Sequence, residues 1–91
     1  MKKFIIERDI PAVDRLNAAE LQQAAATSNA ALAKLAPRIQ WLESFVAKDK
    51  TFCVYLAEDE AVIQEHAALS GFPANKVTEV GRMIDPTVAG G

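Results

Sequence analysis

The stretch NAAELQQAAATSNAALAKLAP, residues 17–37, constrains the fold more than any other part of the chain. Asn17 is placed to serve as N-cap, and Glu20 completes a capping box with it. Leu16 before the cap and Leu21 after it are spaced as a hydrophobic staple. Pro37 ends the helix, because a proline cannot continue the backbone ladder. Between these bounds Leu21, Ala24, Ala25, Ser28, Leu32 and Leu35 recur at helical spacing. A stripe made so largely of alanine suits close packing on a flat partner, so the rest of the chain is expected to supply a sheet.

Four short apolar runs meet that need. KKFIIERDI (2–10) is β-branched at its centre and is closed by Pro11. RIQWLESFVAK (38–48) and TFCVYLA (51–57) read as a hairpin turning around Asp49 and Lys50. KVTEVGRMI (76–84) reads as the last strand. A second helix is expected from about Asp59 to Ser70, with acidic residues at its positive end, Gly71 as a left-handed C-terminal cap and Pro73 beyond it. The order β-α-β-β-α-β defines an α+β, ferredoxin-like fold, a four-stranded antiparallel sheet with both helices on one face. Residues 1–86 are assigned to a single domain and 87–91 to a C-terminal tail.

Such a sheet leaves its second face uncovered, and here that face is not clearly polar. Phe52, Val54 and Leu56 fall on one side of the third strand, Cys53 and Tyr55 on the other. Trp41 and Phe45 share one side of the second strand, opposite Leu42 and Val46. Hydrophobic residues make up 51% of a chain of 91 residues, more than a domain this small readily hides alone. Soluble monomers seldom expose apolar patches beyond a few hundred square ångströms. A homodimer of the dimeric α/β-barrel kind, packed sheet to sheet, is therefore expected.

Charge and composition exclude several classes. The net charge is −2 and the basic residues are scattered, so the basic stripe that nucleic acid requires is missing. No apolar run approaches the roughly 20 residues of a membrane span or the roughly 7–15 of a signal peptide. One cysteine, Cys53, permits no internal disulfide. A cytoplasmic location is the resulting expectation.

Candidate site residues are few. His66, the only histidine, falls on or beside the apolar stripe of the second helix, where a partly buried structural role competes with metal ligation. It has no HxxxH partner, and the adjacent Glu65 points about 100° away. On the sheet, Glu7, Cys53, Tyr55 and Glu79 could line a pocket between the sheet faces of a dimer, or the glutamates could pair with Arg8, Arg82 or lysines at the rim. Glu43 is placed on neither face, since a bulge in its strand could turn it either way. No phosphate loop, nucleophile elbow or CxxC pair occurs, so no catalytic residue is assigned.

The segments ERDIP (7–11), IQW (39–41), SFVAKDKTFCVYLAEDE (44–60), EHA (65–67), GFPANKVTEV (71–80) and IDPT (84–87) resemble a family of small bacterial proteins, largely classed as a domain of unknown function, that includes an actinobacterial nickel-binding protein. The resemblance implies a ferredoxin-like dimer, nickel ions on its surface and a role as a nickel sink. Two functions follow as expectations. One is a non-catalytic homodimer that binds or sequesters a divalent metal, nickel, through His66 and Glu65. The other is a small-molecule-binding protein or cofactor-independent enzyme, resembling monooxygenases or isomerases, with Glu7 or Glu79 as base and Tyr55 as hydrogen-bond donor.

Overall fold

The computed structural model describes residues 1–90. Strand β1 (Lys2–Asp9) leads through a 3-10 turn (Val13–Arg15) into helix α1 (Ala18–Leu35). Strands β2 (Ile39–Val46) and β3 (Lys50–Ala57), helix α2 (Glu60–Ser70) and strand β4 (Lys76–Glu79) follow, and a second 3-10 turn spans Pro86–Gly90. The sheet order is β2-β3-β1-β4 with every pair antiparallel. This is the expected α+β ferredoxin-like arrangement, and both helices cover one face.

The helix ends form as their residues dictate. Asn17 Oδ1 accepts the Glu20 N–H at 2.8 Å, and Glu20 Oε1 accepts the Asn17 N–H at 3.1 Å. Asp59 Oδ1 caps α2 by accepting the Val62 N–H at 3.0 Å. Gly71 closes α2 at φ 79°, where a side chain would be strained. The β2–β3 turn is held to the end of β1 by Asp49, whose carbonyl accepts the Ile10 N–H at 3.0 Å and whose carboxylate accepts the Ala12 N–H at 3.0 Å.

Register assigns each side chain to a face. Toward the helices stand the rows Val46–Thr51–Arg8, Ser44–Cys53–Ile6–Val77, Trp41–Tyr55–Phe4–Glu79 and Ile39–Ala57–Lys2. The open face carries Phe45–Phe52–Glu7–Lys76 and Glu43–Val54–Ile5–Thr78. Phe4, Ile6, Ile39, Tyr55, Ala57, Val62 and Ile63 form the centre of the core, and Leu32, Trp41 and Val77 pack around it.

Two expectations need correction. Trp41 and Phe45 do not share a face, because a bulge between Trp41 and Glu43 shifts the register by one residue. Trp41 therefore faces the helices, Phe45 faces outward, and Glu43 is placed on the open face opposite Val54. The last strand also stops early, at Glu79 rather than residue 84. Glu79 already pairs with Phe4, so β4 runs off the start of β1 within two residues, and the Val80 N–H to Lys3 carbonyl bond of 2.8 Å is its last contact. Beyond it, Met83 and Ile84 lie near Ile5 and Val54 on the open face and are largely exposed. Of the expected tail, residues 87–90 belong to the exposed 3-10 turn, begun by Asp85 accepting the Thr87 N–H at 2.8 Å; Gly91 lies outside the described residues.

Candidate functional site

Alanines decide where the structure is hollow. The C-terminal half of α1 brings Leu32 and Leu35 down onto the core. Its N-terminal half presents Ala24 and Ala25, which are too short to reach the sheet, and a cavity of about 410 Å³ opens between that half of the helix and the strands. The expectation of close packing along the whole stripe thus holds for only part of it. Trp41, Val46, Cys53 and Tyr55 form the sheet wall, and the segment Gly71–Phe72–Pro73 closes one side.

Arg8 is the unexpected member of this wall. It follows Phe4 and Ile6 on the helix side of β1 and is only 3% exposed. Its Nη1 donates to the carbonyls of Pro73 at 2.9 Å and Phe72 at 3.4 Å, and Nη2 lies 3.4 Å from the Tyr55 hydroxyl. Its guanidinium carbon stands 5.9 Å from the centre of the Tyr55 ring. Among the described residues no carboxylate forms an ion pair with it. Burial pushes the Tyr55 phenol above its ordinary pKa, with the Arg8 charge pulling the other way. The phenol stays protonated and remains a donor.

A second polar contact lies behind the cavity. His66 is fully buried, its Nε2 3.2 Å from Ser28 Oγ on α1, and its ring centre 5.4 Å from that of Tyr55. Its Nδ1 is buried with no hydrogen-bond partner among the described residues. Burial lowers its pKa, and the nearby Arg8 charge lowers it further.

The sequence-derived site residues do not converge. Glu65, one position from His66, is exposed and receives Arg38 Nη2 at 3.2 Å, while Glu58 receives Arg38 Nε at 2.6 Å. His66 therefore points into the core and Glu65 out to solvent. Glu7 lies on the open face with Lys50 at 3.4 Å and Lys76 at 3.9 Å. Cys53 and Tyr55 lie on the other face, so the pocket drawn from Glu7, Cys53, Tyr55 and Glu79 is divided by the sheet itself. Glu79 shares a row with Tyr55 but sits two strands away, about 10 Å by strand spacing, at an exposed edge where Lys2 approaches to 3.8 Å. Both glutamates pair with lysines rather than with Arg8 or Arg82.

The donor set also bears on nickel. A divalent transition metal needs several open ligands converging on one point. His66 offers no face to solvent, the carboxylate of Glu65 is held by Arg38, and among the described residues no three His, Cys, Asp or Glu side chains gather. The His66–Glu65 pair does not fit a nickel site.

Arg8, Ser28, Trp41 and Thr51 are the site residues that sequence reasoning passed over. The alternation Phe4–Ile6–Arg8 already placed the arginine on the buried face. The common habit of reading arginine as a rim residue hid it.

The fold and a half-buried cavity define a small ferredoxin-like protein, and comparison supplies its family. The family model described as nickel responsive protein SCO4226-like matches residues 4–80. The chain belongs to this family. The crystal structure of SCO4226 from Streptomyces coelicolor A3(2) is similar in fold, with a TM-score of 0.74 at 14% identity over 90% of this chain and 99% of that one. No curated protein matches the sequence. No helix among the described residues is long and apolar enough to cross a membrane.

Proposed function

We propose that this chain serves the nickel-related role of its family as a non-catalytic homodimer that binds a small organic molecule in the cavity under α1. The observation that carries this reading is the cavity itself. Its volume of about 410 Å³ lies in the range of small-molecule sites, roughly 300–1,000 Å³, and it combines apolar walls with a few fixed polar groups as such sites do. Nickel held by His66 and Glu65 finds no support in the geometry, whereas the family name supports a broader link to nickel.

A binding role is favoured over catalysis by what the cavity lacks. Neither candidate glutamate reaches it. The Cys53 thiol meets Thr51 Oγ1 at 3.5 Å, and His66 is spent on Ser28. A nucleophile without an adjacent base is poorly activated.

The homodimer reading rests on the open face. Phe45 is 57% exposed there, beside Phe52, Val54 and Ile5, with Met83 and Ile84 at its border. A second copy would cover this surface with its own, leaving the cavity on the outer side of each sheet.

Trp41, the only tryptophan, lines the cavity and provides the test. Titration with octan-1-ol should change its emission saturably. Ala25→Phe, which fills the space beneath α1, should abolish the change while leaving the fold intact. A flat titration of the wild type would remove this reading.

A further inference from the structure

We infer that the cavity takes a monocarboxylate with an apolar tail, its carboxylate held by Arg8 and its tail lying along the alanine stripe of α1. This rests on the reading of the cavity as a binding site and adds the chemistry of its occupant.

The reasoning starts from an uncompensated charge. A buried cation is costly unless it is paired, and among the described residues Arg8, 3% exposed, meets only two carbonyls, a phenol and the face of the same tyrosine ring. Asp9 also borders the cavity, but its side chain is 60% exposed and lies 3.8 Å from Lys50 across the sheet. It does not neutralise Arg8. Of the five guanidinium N–H donors, three are directed at these protein acceptors. Nε is bonded to none of them, which leaves the Nε–Nη2 edge for a ligand. That edge matches the two oxygens of a carboxylate side by side.

The remaining walls select against highly charged anions. Ala24, Ala25, Leu21, Val13 and Val46 surround the space next to Arg8, and a dianion would find a single cation among hydrocarbons. A singly charged head and an apolar tail satisfy both parts. The protonated Tyr55 hydroxyl, 3.4 Å from Nη2, is a second donor at the same end.

The test compares three ligands with one tail: sodium octanoate, octan-1-ol and octylamine, titrated calorimetrically and by Trp41 emission into the full chain at neutral pH. Octanoate should bind about 10- to 100-fold more tightly than octan-1-ol, as a charge-assisted hydrogen bond warrants, and octylamine should bind most weakly. Arg8→Met should bring octanoate and octan-1-ol to similar affinity, and Arg8→Lys should retain part of the octanoate advantage. Octan-1-ol binding as tightly as octanoate to the wild type overturns the carboxylate assignment and leaves the cavity reading standing. Binding of neither overturns both. The wild-type comparison decides the matter even if Arg8→Met fails to fold.

Discussion

His66 Nε2 lies 3.2 Å from Ser28 Oγ, and this contact joins α2 to α1 through a buried polar pair. The imidazole is kept neutral by burial and by the charge of Arg8 beyond Tyr55. Its pKa is lowered on folding from an ordinary value of 6.5. Above that value neither state binds the proton, and the titration of the histidine leaves stability independent of pH. Below it the unfolded chain takes up a proton that the folded chain refuses, so stability falls as pH drops. Urea unfolding from pH 8 to pH 5 should show the wild type losing stability below about pH 6.5 relative to His66→Gln, whose amide can still meet Ser28. Parallel curves would mean that the imidazole titrates alike in both states.

Ser28→Ala tests the same pair from the other side. It leaves Nε2 buried without its partner, and an unmet buried polar group costs about 1–3 kcal/mol. The loss should be much reduced in Ser28→Ala combined with His66→Leu, because removing both polar ends leaves nothing to satisfy. Additive losses measured in a double-mutant cycle would show that the contact contributes little.

At Gly71 the backbone, not a contact, sets the expectation. Its φ is 79°, and nothing lies within 4 Å of an added Cβ. Gly71→Ala should therefore lower stability by about 1 kcal/mol through left-handed strain alone, and Gly71→Asn by less. A larger loss in chemical denaturation would point to displacement of Phe72 and Pro73, whose carbonyls hold Arg8.

Much of this fold was legible because its signals are local. The capping box at Asn17 and Glu20, the glycine stop at Gly71 and the order of strands each depend on residues within a few positions of one another. The bulge after Trp41 was not legible, since it depends on which residue of β3 stands opposite, and it moved Phe45 and Glu43 to the open face. The candidate site suffered from the same gap. Tyr55 was named, but Glu7 and Cys53 were grouped together, although Cys53 stands opposite Ile6 and the pleat sends the next residue of that strand, Glu7, to the other face. Arg8 and Ser28 could be brought to one cavity only by packing α1 against β1 and β3, which no spacing along the chain reveals.

The open face yields a prediction about assembly. Phe45 stands in one row with Phe52, next to Val54 and Ile5, and 57% of it is exposed. Charge placed there should prevent a sheet-to-sheet partner from approaching while leaving the core untouched. Sedimentation equilibrium should report a dimer for the wild type and a monomer for Phe45→Glu, with octan-1-ol affinity unchanged because the cavity is on the other face. A wild type that sediments as a monomer at all concentrations would refute the homodimer.

Nickel gives the sharpest contrast between chemistry and access. A metal ligand must be deprotonated, and the lowered pKa of His66 keeps its imidazole in the right form for ligation. Protonation is therefore not the obstacle. Access is, because the ring is wholly buried, Nε2 is held by Ser28, and Nδ1 is buried without a hydrogen-bond partner among the described residues. Glu65 cannot turn inward to join it without releasing Arg38, which ties the start of β2 to α2. Calorimetric titration of nickel into the wild type and into His66→Gln should thus give superimposable curves, with magnesium and zinc as controls. Saturable nickel binding lost in His66→Gln would overturn this expectation, and would require α2 to open away from α1 so that the histidine reaches solvent.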